Sequence, residues 1–124
     1  MDAKEIERDL NYYTGTEKWT RYSSLFRRTL LTDGALFVAE ECKAYWLMDA
    51  ISSWQTEKKV KAEGFQFWQL TKTDDGGAVL TCEDGNENEV ARQVIDFTDF
   101  PLDSIKLYAS NEEENLIILL PSEY

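Results

Sequence analysis

The order of periodicities along the chain predicts an α+β fold, with N-terminal helices packed on one face of a roughly five-stranded antiparallel sheet. Apolar residues in positions 1–63 recur at helical spacing, whereas positions 64–124 hold short blocks rich in aromatic and β-branched residues. Clusters of Asp, Gly and Asn separate those blocks, as turns separate strands. A length of 124 residues suits one domain, residues 1–124, with a helical half (1–63) and a β half (64–124).

Residues 2–13 form the first expected helix: Ile6, Leu10 and Tyr13 share a face, and Lys4, Glu5, Glu7 and Arg8 lie opposite. "TGTEKW" supplies a corner, with Thr14 and Gly15 ending that helix and Thr16 capping a new turn near Glu17. A phosphate-gripping loop would need a glycine-rich run after a strand; here a single glycine follows a helix. "TDGALFVAEECKAYWLMDAISSWQ" reads as one long helix or two joined ones, capped by Thr32 or Asp33, with a break near Cys42 to Ala44. Its expected buried side carries Leu36, Phe37 and Glu40, then Trp46, Leu47, Ala50, Ile51 and Trp54. "TEKKVKAEG" is a solvated connector ended by Gly64.

Five strands then follow: "FQFWQLTKT", "AVLTCED", "EVARQVIDFT", "SIKLYAS" and "NLIILLP", the last apolar enough for burial on both faces. Paired as a meander, they bring the turns "EDGNENE" and "NEEEN" to one end of the sheet. Seven acids gather there: Glu83, Asp84, Glu87, Glu89, Glu112, Glu113 and Glu114. The other end holds Asp74, Asp75, Asp99 and Asp103 beside "TDFPL".

The net charge of −11 is not evenly spread. Residues 1–62 hold ten basic and ten acidic side chains, while residues 63–124 hold three against fourteen. A field of that sign repels nucleic acid and anionic membranes, and its electrostatic complement is a basic protein surface. The chain has no histidine, which removes the commonest general base and the usual nitrogen ligand for zinc. Cys42 and Cys82 suit buried, reduced thiols. Neither an apolar leader nor a run of the ~20 apolar residues that a membrane span requires is present, so a cytoplasmic protein is expected, monomeric or homodimeric.

Asp84, Asn86 and Asn88 alternate like the first ligands of a calcium loop, but Glu89 and Ile95 stand where that loop needs glycine and a bidentate glutamate. A hairpin turn explains them better, and no metal or cofactor is expected. Trp19, Trp46, Trp54 and Trp68 fit core packing better than a stacking pocket. Arg27-Arg28 and Lys58, Lys59 and Lys61 fit pairing with acids of this molecule or of a second copy.

"TGTEKWTRYS", "LLTDGALFVAE", "AYWLMDAISS", "TDFPL" and "LPSEY", in that order, resemble a family of small bacterial proteins of unknown function often associated with phages and plasmids. The resemblance spans nearly the whole chain and implies a single-domain cytosolic protein of a mobile element, with no catalytic residues to carry over. Charge and resemblance together lead to the expectation of an acidic, non-enzymatic interaction protein. Its partner-binding residues are the seven acids of the shared sheet end, and its mode is a nucleic-acid mimic or inhibitor on a basic surface. The alternative is a small enzyme or ligand-binding protein with a pocket between helices and sheet, using Glu17, Asp33 or Asp99 with a tyrosine.

Overall fold

Helix α1 (Ala3–Leu10) starts where the side chain of Asp2 accepts the Glu5 amide at 2.8 Å, and it buries Ile6 completely. The computed structural model describes residues 1–124, and its next helix, α2 (Asp33–Glu41), is capped by Thr32. Lys43 takes a left-handed conformation (φ 51°), which separates α2 from α3 (Tyr45–Ser53) at the predicted break. A 3-10 turn at Trp54–Thr56 and the short α4 (Lys58–Lys61) complete the helical half. The buried stripe of α2 is Ala35, Val38 and Ala39, and Glu40, expected on that side, is exposed. Small residues let α2 lie close to its neighbours, whereas a glutamate there would need a buried partner.

All five expected strands form: β3 (Phe65–Lys72), β4 (Ala78–Glu83), β5 (Glu89–Ile95), β6 (Ser104–Asn111) and β7 (Leu116–Leu119). Two more precede them, β1 (Thr20–Arg21) and β2 (Thr29–Leu31), from a stretch in which no strand is predicted. The sheet has seven strands in the order β1-β2-β7-β6-β3-β4-β5, and β2 runs parallel to β7, so it is mixed rather than antiparallel throughout.

The predicted meander is also replaced. β6 pairs with β3, not with β5, which gives β3 to β6 a Greek-key order. The connection 96–103 makes this possible by burying Phe100 and Leu102, and Thr98 ties it to the β3–β4 turn through its amide to the Gly76 carbonyl at 3.0 Å.

Alternation sends Gln66, Trp68, Leu70, Leu80, Cys82, Leu107, Ala109 and Ile118 toward the helices. α3 meets them with Leu47 and Ile51, leaving no room for a water molecule between these side chains. The opposite face of the sheet carries no helix. Cys42 and Cys82 are free thiols in the core, and burial pushes their pKa values up from 9.0 to about 11 and about 12.

Their linkage to folding has a definite sign. An unfolded thiol loses its proton above pH 9 while the buried one keeps it, so their contribution is intact below pH 9 and is lost as pH rises toward 11–12. Each thiol is expected to remove about 1.4 kcal/mol of stability per pH unit in that window. Urea unfolding at pH 8 and pH 10 checks this: the Cys42→Ala/Cys82→Ala variant should lose less stability over that interval than the parent chain.

Candidate functional site

The acidic turns share one end of the sheet although the strand order differs from the meander. Every connection from β3 to β7 still reverses direction, so the β4–β5 turn and the β6–β7 turn remain on the same side. They are not adjacent, however. β3 lies between the two hairpins, which places the midpoints of the two turns three strand spacings, roughly 14 Å, apart, more than a physiological screening length.

The seven acids therefore divide into groups with different surroundings. Asp84 is spent on its own turn: Oδ1 accepts the amides of Asn86 (2.8 Å) and Asn88 (3.2 Å), and Oδ2 accepts the Asn88 side-chain amide (3.1 Å). Those bonds hold its carboxyl below the usual range. Glu89 forms a bidentate pair with Arg92, and Glu112 accepts from Ser110 Oγ at 2.9 Å. Glu83, Glu87, Glu113 and Glu114 engage no other side chain by hydrogen bond or ion pair.

Glu83 and Glu87 border a groove on the open face of the sheet. Its other walls are Phe67, Gln69, Gly85, Lys106 and Tyr108, around a space of about 240 Å³. Gly85, at φ +90°, lies so close to Phe67 that a Cβ there would stand 2.8 Å from its ring. Phe65 is the hub of an edge-to-face cluster, with ring centres 5.2 Å from Phe67, 5.2 Å from Tyr108 and 4.9 Å from Tyr124. No periodicity in the sequence announces this cluster. It arises because β6, not β5, docks beside β3 and sets Tyr108 opposite Phe67.

Glu112, Glu113 and Glu114 line a different cleft, of about 310 Å³, on the helical side. Arg27, Arg28 and Lys61 line it too, which brings three of the expected basic side chains into one cleft with acids of the same molecule. They do not form ion pairs: the contacts within 4.0 Å in the molecule are Arg8–Asp9 and Arg92–Glu89. Thr29 and Ser52 lie at its base, joined at 2.9 Å. Ser52 also lies 3.3 Å from the hydroxyl of Tyr22, which donates to Asp49 at 2.9 Å. Burial holds the Tyr22 phenol well above the ordinary tyrosine range.

The carboxylates of the enzymatic alternative do not converge. Asp33 Oδ2 accepts the Glu17 amide at 2.9 Å, and Thr16 Oγ1 accepts the Asp33 amide at 2.9 Å, a reciprocal cap at the start of α2. Thr16 thus caps α2 and not a turn of its own. Asp99 is exposed in the connection 96–103 and shares no hydrogen bond with that cap. Glu123 reaches the same helix start, accepting from Thr32 Oγ1 (2.7 Å) and the Gly34 amide (2.9 Å). The segments "TGTEKWTRYS", "LLTDGALFVAE" and "LPSEY" therefore meet at one helix N-terminus. Of the tryptophans, Trp68 is buried, Trp46 and Trp54 are half-buried and Trp19 is exposed.

The sequence profile of a family of unknown function matches residues 4–124. The chain belongs to that family, DUF6876. Among curated proteins none matches this DUF6876 chain. A solved structure, that of a protein of unknown function from Enterococcus faecalis, is similar with a TM-score of 0.53 at 17% identity, over 86% of this chain and 98% of that one. That likeness extends to the fold. No helix of the chain is long and apolar enough to cross a membrane.

Proposed function

We propose that this DUF6876 chain is a non-enzymatic interaction protein that docks an arginine-bearing, basic segment of a partner protein on the open face of its sheet. The observation that carries this reading is the aromatic cluster of half-buried Phe65, Phe67 and Tyr108 with exposed Tyr124, of which Phe67 and Tyr108 share a groove with Glu83 and Glu87. A guanidinium can stack on an aromatic face while its N–H fork engages a carboxylate, which a lysine ammonium does less well. The net charge of −11 steers such a partner toward the molecule. Lys106, the basic residue in that groove, directs the incoming cation toward the glutamate side. Nucleic-acid mimicry on an unbroken row of carboxylates draws less support, because Asp84, Glu89 and Glu112 already have intramolecular partners.

The test is an NMR titration with an arginine-rich peptide, a lysine-rich peptide of the same length and an acidic one. The arginine peptide should bind roughly 2–5-fold more tightly than the lysine peptide. Its shifts should map to Phe65, Phe67 and Tyr108. Phe67→Ala should abolish that preference, with folding verified by circular dichroism, and Glu83→Gln/Glu87→Gln should weaken both basic peptides. Equal binding of the two basic peptides, unchanged by Phe67→Ala, would discard the open-face site.

A further inference from the structure

The second cleft supports an inference independent of the open face. Side chains of both signs line it, Arg27, Arg28 and Lys61 together with Glu112, Glu113 and Glu114, around a space of about 310 Å³, and none of these six is within 4.0 Å of an opposite charge. Opposite charges on long, flexible side chains that share one cleft without pairing leave a site for a molecule carrying both complements.

The floor refines the polarity. Tyr22 donates to Asp49, so its oxygen is left to accept from Ser52 Oγ, and Ser52 in turn accepts from Thr29 Oγ1. Each hydroxyl proton is thereby directed away from the cleft along the relay toward Asp49. With those protons held inside the relay, the nearly buried hydroxyls of Thr29 and Ser52 at the base of the cleft have only acceptor capacity left, which suits an N–H donor. The C-terminal turn of α3, from which Ser52 projects, adds the negative end of the helix dipole on that side. Leu25, Phe26 and Leu116 supply apolar surface at the rim.

We propose that this cleft binds a small zwitterion, an amino acid or short peptide with free ends. Its ammonium meets the glutamates and the hydroxyl floor, and its carboxylate meets Arg27, Arg28 and Lys61. The volume lies at the lower limit of small-molecule sites, which matches a ligand of one or two residues.

Chemical-shift titration with each common amino acid and with glycyl-leucine tests it, using N-acetyl-glycyl-leucine and glycyl-leucine amide as single-charge controls. A free zwitterion should bind saturably and shift the amides of Arg28, Ser52 and Glu113. Blocking either end of glycyl-leucine should weaken it about 10-fold, the effect of losing one charge-assisted hydrogen bond. Arg28→Gln should erase the preference for a free carboxylate and Glu113→Gln the preference for a free amine, each without moving the response of Phe67 to the arginine peptide. Equal binding of the free and blocked peptides, saturation at other residues, or no shift in the cleft with any of these compounds up to its solubility limit would overturn the proposal. Neither outcome bears on the open-face reading, whose reporters lie on the other side of the sheet.

Discussion

Gln66→Leu is expected to destabilise the chain by about 2–4 kcal/mol, the cost of leaving a buried indole N–H and a half-buried amide without their bonds. The Gln66 side chain is fully buried between the sheet and the end of the helical half. Its Oε1 accepts from Trp68 Nε1 at 3.0 Å and from Gln55 Nε2 at 2.9 Å. Its Nε2 shares its two protons among three acceptors, Gln55 Oε1 (2.9 Å), the Val60 carbonyl (3.0 Å) and the Glu63 carbonyl (3.1 Å). The orientation of the amide is forced, because an indole N–H can only donate and a backbone carbonyl can only accept.

Leucine would fill the volume but leave the buried Trp68 N–H without an acceptor and strip the half-buried Gln55 of its paired amide. Urea unfolding of Gln66→Leu, Gln55→Leu and the double variant measures the effect. Because the two amides bond reciprocally, the pair should be less costly than the sum of the singles by about 1 kcal/mol or more. Gln69→Leu, on the open face of the same strand, serves as the control and should stay within about 0.5 kcal/mol of the parent. If Gln66→Leu behaves like that control, the network adds nothing net to stability.

The same residue shows how far the sequence can be read. Alternation in "FQFWQLTKT" reveals the strand, and with Trp68 and Leu70 it reveals which face is buried. It also puts Gln66 on that face, a polar side chain whose partners lie eleven positions earlier and on a short helix, invisible to periodicity. β1 and β2 escape for a related reason. Thr20–Arg21 and Thr29–Leu31 are too short to complete a cycle of alternation, and the second becomes a strand because Leu31 is buried and β7 offers its parallel edge. Strand order depends on such pairings.

The site was legible in part. The common end of the acidic turns follows from counting chain reversals, so it survives the change from meander to Greek key. Their separation does not, since it depends on which strands lie between. The "LPSEY" segment can be matched to a family but not to a task, and its task emerges only when Glu123 is found at a helix start far away in sequence.

That contact yields the other large effect: Glu123→Ala is expected to cost about 2–4 kcal/mol, because three hydrogen bonds to one carboxylate disappear together. Glu123 accepts from Thr32 Oγ1 at 2.7 Å, from the Gly34 amide at 2.9 Å and from its own Leu120 amide at 2.9 Å. It thus satisfies the first turn of α2, and its negative charge lies at the positive end of that helix's dipole. The fit is close: a Cβ on Gly34 would stand 2.5 Å from Glu123 Oε1, so the carboxylate occupies space that any other residue at position 34 would claim.

Glu123→Gln should recover part of the loss, since its carbonyl can replace one oxygen, but its amide group would face the Gly34 N–H, donor against donor. Ser122→Ala removes a single bond, from Ser122 Oγ to the Tyr13 carbonyl at 2.6 Å, and should cost only about 1 kcal/mol. Thr16→Val disturbs the same helix start from the other side by removing the acceptor of the Asp33 amide. Combined with Glu123→Ala it should therefore be non-additive, as expected of residues that share a cap. Urea midpoints of these variants decide the matter: a Glu123→Ala protein no less stable than Ser122→Ala would mean that water replaces the carboxylate at α2 without loss, and that the terminal segment is not what closes this helix.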